Sequence, residues 1–385
     1  MNDSSSPLSR TEIGLGSNKV LIVINSLIQA GAEALVKDLA PQLRARRVQI
    51  AVAVLKRLDN SFEKLVEQAG VPLITLSGAG FYSPRHLWWL RRTMRQFDLV
   101  HSVLFPSQLW VALAAKSLAG KPALIASEQN TDNRRRRLRW LRALDGWMYR
   151  QYSAIACASH AIADSLAQWA PQVHERICVI PDAIAVEHFA AASPADKKQI
   201  IGEGDPPVIL FTARLQPQKD HVTLFRALTK VHGAHLLLAG DGELRPRLMR
   251  LAQELGLASR IHFLGRRDDI PQLLKMADVY AHSAHSEGFG IATLEAMAAG
   301  VPVVASDLPG LAEVVGQAGI LVPPGDSEAM ANALKQLLGS AELRQKLSTA
   351  GRQRAQEFSI QKTAQQFIEL YGRVLSEHQR EPLRS

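Results

Sequence analysis

The chain has 385 residues, 47% hydrophobic and 21% charged. That balance excludes an unfolded polyelectrolyte, and the length exceeds what one ordinary core organises. The formal net charge of +9 lies wholly in the first half: residues 1–200 hold 25 Lys+Arg against 16 Asp+Glu, and residues 201–385 hold 20 of each.

The opening MNDSSSPLSRTEIGLG lacks a basic start followed by an apolar block, so residues 1–16 read as a disordered lead and not as a signal peptide. KVLIVINSL, VQIAVAVL, VPLITL, LVHSVLF, ALIAS, AIACAS and ICVIP then follow as strands, with helical patterns such as GAEALVKDLAPQLRARR and HAIADSLAQWA between them. No apolar run reaches the roughly 18 uninterrupted residues of a spanning helix. The two cysteines, Cys157 and Cys178, sit inside strand-like runs and suit buried thiols in a reducing cytosol.

Two segments carry much of the first half's charge. SPRHLWWLRRTMRQF reads as a helix with Leu87, Leu90, Met94 and Phe97 inward, and with Trp89 between Arg85 and Arg92 on another face. NRRRRLRWLRALDGWMYRQY adds Arg134–Arg137, Arg139 and Arg142, with Trp140 and Trp147 in reach. Tryptophan among arginines suits an anionic membrane surface, and a plain solvated face is the bland alternative. Nucleic acid competes as a partner for basic runs, but no nucleic-acid-binding module accompanies them.

Around AASPADKKQIIGEGDPP the mix of Pro, Gly and charge marks a linker over 186–206, after a first domain over 17–185. PVILFTARL, HLLLAGDG, IHFLG, VYAHSA, VPVVASD and GILVPPG repeat the strand-and-helix scheme as a second domain over 207–358. Residues 359–385 form a helical tail with room to cross back to the first domain. Continuous apolar strands separated by helices imply parallel sheets covered on both faces. The fold class is therefore α/β, with two Rossmann-like, doubly wound domains and a ligand crevice at the carboxyl ends of their strands.

Three strand ends of the second half carry chemistry. Arg214 closes PVILFTARL and Lys219 stands just before the next helix, where two cations and free backbone N–H groups suit phosphates. Gly240 and Gly242 allow close backbone approach to a ligand. Asp241 and Glu243 read as cap and first-turn charges, and no His/Cys cluster has metal spacing, so no metal is expected. In HSEGFGIATLEAMAAG, Glu287 precedes Gly288, Phe289, Gly290 and Ile291, whose amides can meet an anion or a sugar. Glu295, a little over two helical turns on, is placed to accept hydrogen bonds from a ribose diol. Taken together, these residues describe a pocket for a nucleoside diphosphate bearing a sugar.

EGFGIATLE resembles the Glu-x7-Glu motif of retaining glycosyltransferases of family 4, the group 1 transferases of the GT-B fold. The likeness extends to ARLQPQKD, LLLAGDGELR, IHFLG and EAMAAGVPVVASDLPGLAEVV, over nearly all of 207–325, and more loosely to Gly31-Ala32-Glu33, LVHSVLFPSQL and ACASHAIADSL. It implies an interdomain cleft, diphosphate held by Arg214 and Lys219, ribose by Glu295 and the transferred sugar by Glu287, with Gly31 facing the diphosphate from the other domain. It implies no cofactor beyond the nucleotide-sugar co-substrate. The family usually carries a histidine at the end of the fifth first-domain strand, where ALIASEQNTDN places Gln129. Gln129 and the nearby His101 are thus the acceptor-side candidates.

The expected function is retaining, metal-independent transfer of a hexosyl-type sugar from a nucleotide-diphospho-sugar to a lipid-linked or phosphorylated glycan, as in cell-surface polysaccharide or lipopolysaccharide assembly. The expected location is cytoplasmic, peripheral on the inner face of the membrane. Transfer to a soluble acceptor, as in sucrose- or trehalose-type synthesis, and an inactive GT-B binding protein are the alternatives.

Overall fold

The computed structural model describes residues 15, 17–28, 31–118, 122–131, 138 and 140–380. Of the lead, only Leu15 falls within them, and it is buried in the first core. Arg134–Arg137 and Arg139 lie outside the described residues.

Thirteen strands coincide with the thirteen apolar runs. The first sheet comprises β1 (Lys19–Ile24), β2 (Gln49–Val54), β3 (Leu73–Thr75), β4 (Leu99–Val103), β5 (Ala123–Glu128), β6 (Ala154–Cys157) and β7 (Ile177–Val179), in the order 3-2-1-4-5-6-7. The second comprises β8 (Val208–Thr212), β9 (His235–Ala239), β10 (Ile261–Gly265), β11 (Val279–His282), β12 (Val303–Ser306) and β13 (Ile320–Val322), in the order 10-9-8-11-12-13. Every paired strand runs parallel. In β1, Val20, Ile22 and Ile24 enter the core on one face and Leu21 and Val23 the core on the other. A strand buried on both faces cannot alternate polar with apolar, which is why these runs are continuously hydrophobic.

The order reverses between β1 and β4 and again between β8 and β11. Such switch points open a crevice at the strands' carboxyl ends, and here the two face each other across the domain boundary. Residues Val186–Ala190, expected in the linker, instead form a short helix; Val186 and Phe189 are buried in the second core. The helix Ile360–Arg380 returns to the first domain. Ile360, Ala364, Phe367, Tyr371 and Val374 recur at helical spacing and lie in the first core beside the helix Gly31–Ala45. The two crossings clasp: Ile184 N–H donates to the Phe358 carbonyl (3.2 Å), and Ile360 N–H donates to the Ile184 carbonyl (2.9 Å).

On the helix Arg85–Met94, Leu90 and Met94 are buried, and Leu87 and Phe97 pack partly against the same core. The exposed tryptophan is Trp88 and not Trp89. Trp89 leans on the core and lies near His86, whose ring centroid is 5.8 Å away, while Arg91 lies over Trp88 at 5.8 Å.

Candidate active site

The chain leaves β8 through Ala213, Arg214 and Leu215, makes a single turn at Pro217–Lys219, and enters the helix His221–Thr229. Asp220 caps that helix, accepting from Thr223 N–H (3.3 Å). Leaving β11, it runs through Ser283–Gly290 into the helix Ile291–Ala299. These two loops are stitched together where His285 N–H donates to the Gln218 carbonyl (2.8 Å) and its Nε2 lies 3.5 Å from Asp220 Oδ1. The result is an ion pair between Lys219 Nζ and Glu287, both largely buried.

Beneath that pair lies His282, the last residue of β11. Its Nδ1 is 2.8 Å from Thr293 Oγ1 and its Nε2 is 3.2 Å from Glu287. Burial raises the Glu287 carboxyl, but the Lys219 charge and the His282 contact outweigh it and hold the group well below the ordinary carboxylate range. His282 goes the other way: burial and the neighbouring Lys219 lower it despite Glu287, so the ring is neutral at physiological pH. Glu287 is therefore a fixed negative charge with its orientation set from below. Glu295 differs. Half-buried, it sits near the Lys37–Asp38 pair on the first-domain helix, and burial pushes it up to about 7 against the Lys37 charge.

The glycines act through backbone packing. A Cβ on Gly240 (φ +144°) would lie 1.9 Å from the Ala213 carbonyl oxygen, and one on Gly242 would lie 2.5 Å from that of Leu215. The close approach they permit is to the backbone of the Arg214 loop. Gly290 (φ +96°) starts the helix Ile291–Ala299 in the left-handed region, and no side chain caps that helix. Its first N–H groups stay available for an anion. Phe289 is 3% exposed, with its ring 5.5 Å from Phe358, so only its backbone can meet a donor.

The first domain closes the other side. Gly31 abuts the second domain, since a Cβ there would lie 3.1 Å from Ile291 Cδ1. Two positions on, buried Glu33 is raised by desolvation, with its own backbone hydrogen bond and the facing charge of Arg214 pulling it back. The Gln129 carbonyl presses on Gly288, where a Cβ would come within 2.9 Å of it. Ser159 Oγ donates to the Gly288 carbonyl (2.7 Å), and the Glu313 carboxylate accepts from His160 N–H (2.9 Å) and lies 3.1 Å from His160 Nδ1. Asp182, just beyond β7, is 3% exposed; burial pushes it up to about 7, countered by a hydrogen bond from Gln129 and reinforced by Glu287.

His101 is not in the cleft. It lies inside β4 with its Nδ1 2.8 Å from the Tyr371 hydroxyl and its Nε2 2.7 Å from Ser127 Oγ, and burial lowers it to about 3. A neutral ring packed under the returning helix is part of the core, which removes it from the acceptor side. Sequence reasoning missed Asp182, His282 and Glu33 as members of the site. Asp182 and His282 stand at or just beyond carboxyl ends of strands, the signal that singled out Arg214. Among the described residues no group of three or more His, Cys, Asp or Glu could hold a metal ion.

The profile "Glycosyltransferase Family 4" matches residues 30–188 and "Glycosyl transferases group 1" matches residues 193–354. The phosphatidyl-myo-inositol mannosyltransferase of Mycobacterium leprae is 30% identical over 364 residues, covering 90% of this chain and 94% of that one. The chain belongs to the family 4, group 1 glycosyltransferases. The lipopolysaccharide core biosynthesis glycosyltransferase LpsE of Rhizobium meliloti is 34% identical over 158 residues, covering 40% of this chain and 46% of LpsE. This chain thus spans about half the length of several curated relatives that it matches. Among solved structures, Anabaena Alr3699/HepE in complex with UDP-glucose superposes with a TM-score of 0.78 at 25% identity, over 92% of this chain and 99% of that one. The GT-B architecture of this family member, two Rossmann-like domains facing a cleft, is the one described above.

Proposed function

We propose that this family member is a retaining glycosyltransferase using a nucleotide-diphospho-sugar, without a metal, and delivering the sugar to a lipid-linked or phosphorylated glycan at a membrane surface. The observation that carries this reading is the Lys219–Glu287 pair, set at the uncapped start of the helix Ile291–Ala299 with Arg214 facing the first domain. Cleaving a glycosyl–phosphate bond builds negative charge on the departing diphosphate and positive charge at the anomeric carbon. Arg214, Lys219 and the helix N-terminus meet the first charge, and ionised Glu287 holds hydroxyls of the sugar that carries the second. Glu295 takes the ribose diol.

The step is a front-face exchange. The anomeric carbon–phosphate oxygen bond breaks, the acceptor oxygen bonds the same face, and the acceptor proton passes to the departing diphosphate oxygen. No protein nucleophile is needed, unlike the two-carboxylate scheme of retaining glycosidases. LpsE, named for lipopolysaccharide core biosynthesis, and the mannosyltransferase, named for phosphatidyl-myo-inositol, support an acceptor of the glycolipid class. The UDP-glucose complex of HepE supports a nucleotide-sugar donor.

A membrane-facing role draws on the first domain. Trp88 (70% exposed) and Trp140 (73% exposed) stand on or beside helices flanking Ser107–Lys116 on one face of the sheet. No described helix is long and apolar enough to span a bilayer; the attachment proposed here is peripheral, on the cytoplasmic face. The test is nucleoside diphosphate release from UDP-, GDP- and ADP-sugars, with donors chosen by a thermal-shift screen. Lys219→Ala and Glu287→Ala are expected to abolish release while each variant still melts cooperatively. Wild-type rates in both would sink the assignment.

A further inference from the structure

The first domain reaches the turn that carries Glu287 through one hydroxyl. Ser159, two residues past the end of β6 and fully buried, caps the helix His160–Trp169 by accepting from Ile162 N–H (3.2 Å). Capping uses only a lone pair, so it leaves the hydroxyl proton free. That proton goes across the domain boundary: Oγ donates to the Gly288 carbonyl (2.7 Å), the one hydrogen bond this carbonyl accepts among the described residues. One residue on, His160 N–H donates to the Glu313 carboxylate (2.9 Å). The start of this helix is therefore docked on the second domain, and the dock lies against the residue that follows Glu287.

Gly288 is also where the carboxylate is anchored. Its N–H donates to Glu287 Oε1 (3.1 Å), while Lys219 Nζ and His282 Nε2 lie at Oε2. Without a Cβ, a glycine lets its two flanking peptides swivel unless packing forbids it. At Gly288 packing restricts them from both domains. A Cβ on it would lie 2.9 Å from the Gln129 carbonyl oxygen and 3.2 Å from Ile162 Cδ1, and one on Gly310 would lie 2.4 Å from the Gly288 carbonyl oxygen. Ser159 adds a directional bond, which fixes an orientation that packing of small groups only limits. The bond exists only while the two domains face each other as they do here, so opening the cleft releases the Gly288 carbonyl and loosens the N–H that aims Oε1.

We propose that Ser159 is a positioning residue that couples closure of the two domains to the placement of Glu287: by holding the Gly288 carbonyl, its hydroxyl sets the turn that aims the Glu287 carboxylate at the transferred sugar. This rests on the glycosyltransferase reading above. Ser159→Gly is the informative change, because glycine caps a helix nearly as well as serine yet has no proton to donate. Turnover of a nucleotide-diphospho-sugar, affinity for its nucleoside diphosphate by titration calorimetry, and melting temperature are measured for wild type, Ser159→Gly, Ser159→Ala and Ser159→Thr. Ser159→Gly is expected to lower kcat about tenfold while leaving nucleoside diphosphate affinity within about twofold. Ser159→Ala, a poorer cap, is expected to melt lower but to lose no more kcat than Ser159→Gly does. Ser159→Thr keeps the hydroxyl and is expected to hold kcat within about threefold of wild type. A wild-type kcat in Ser159→Gly, a kcat loss in Ser159→Ala well beyond that in Ser159→Gly, or a Ser159→Thr variant as slow as Ser159→Gly overturns the positioning role while the transferase reading stands. Absence of wild-type turnover with every donor overturns the transferase reading, and this inference falls with it.

Discussion

Replacing Glu295 with glutamine tests the proposed ribose contact and separates it from a partnership with Lys37. Burial moves the Glu295 carboxyl from an ordinary 4.5 to about 7. At about 1.4 kcal/mol per tenfold change, that difference is on the order of 3 kcal/mol for a fully dry group. Glu295 is only half-buried, so solvent screening brings it to about 1–2 kcal/mol. The sign follows from linkage. A carboxyl raised on folding costs nothing below pH 4.5, where it is protonated folded and unfolded alike. The cost grows as pH rises through 7 and is complete above it.

Glu295→Gln is thus expected to raise the melting temperature at pH 8 by roughly 3–6 °C, with the gain gone at pH 4. The same change removes a charged acceptor for the ribose diol and is expected to weaken nucleotide-sugar binding about tenfold to a hundredfold at pH 8, by titration calorimetry. Donor affinity in the wild type should fall as pH drops below 7, since protonation removes that acceptor, and should stay flat in the variant. If Glu295 were chiefly the partner of Lys37, the variant would melt lower at pH 8 and bind donor normally. That pair of results refutes the reasoning.

Other outcomes follow from the packing. Gly290→Ala forces an L-residue to φ +96° and drives a Cβ to within 2.5 Å of Leu311 Cδ2, on a fully buried side chain. A loss of about 2–4 kcal/mol is expected, read from the denaturant midpoint, with an unchanged midpoint disproving the contact. Glu313→Gln loosens the His160 contact across the cleft. The melting temperature should hold, because the histidine is largely exposed, while donor KM rises severalfold. Trp88→Ala combined with Trp140→Ala should reduce co-sedimentation with anionic vesicles at low salt, and wild-type binding itself should fade as salt rises. Equal binding by the variant would take this face out of the membrane reading.

How much of this was legible depended on what kind of signal each residue sends. Strands buried on both faces advertise themselves as unbroken apolar runs, so all thirteen could be read, and the helical spacing from Ile360 onward exposed the returning helix. Lys219 and Glu287 were singled out as charges in the loops that follow β8 and β11, and the structure brings them together as an ion pair. His101 misled because the run LVHSVLF does not show where its strand ends: it is the middle residue of β4, and the tertiary contact with Tyr371 makes it core. Asp182 was hidden because it follows ICVIP near the end of the first domain, where no neighbouring residue marks it as part of a site. At Gly240 the glycine was legible but its nearest neighbour was not, since a sequence cannot say which backbone passes beneath a Cβ-less position.

The helix Ile360–Arg380 has a consequence for how the molecule is made. The first domain is encoded first, yet part of its core is supplied by residues translated after the whole second domain. On the ribosome, the second domain can bury its sheet and close its core while the first still shows an open apolar face. That face is a natural client for chaperones until the last helix arrives, so the order of completion is the reverse of the order of synthesis. A split between the two domains for separate expression would have to carry residues 360–380 with the first half, as a separate chain or by circular permutation.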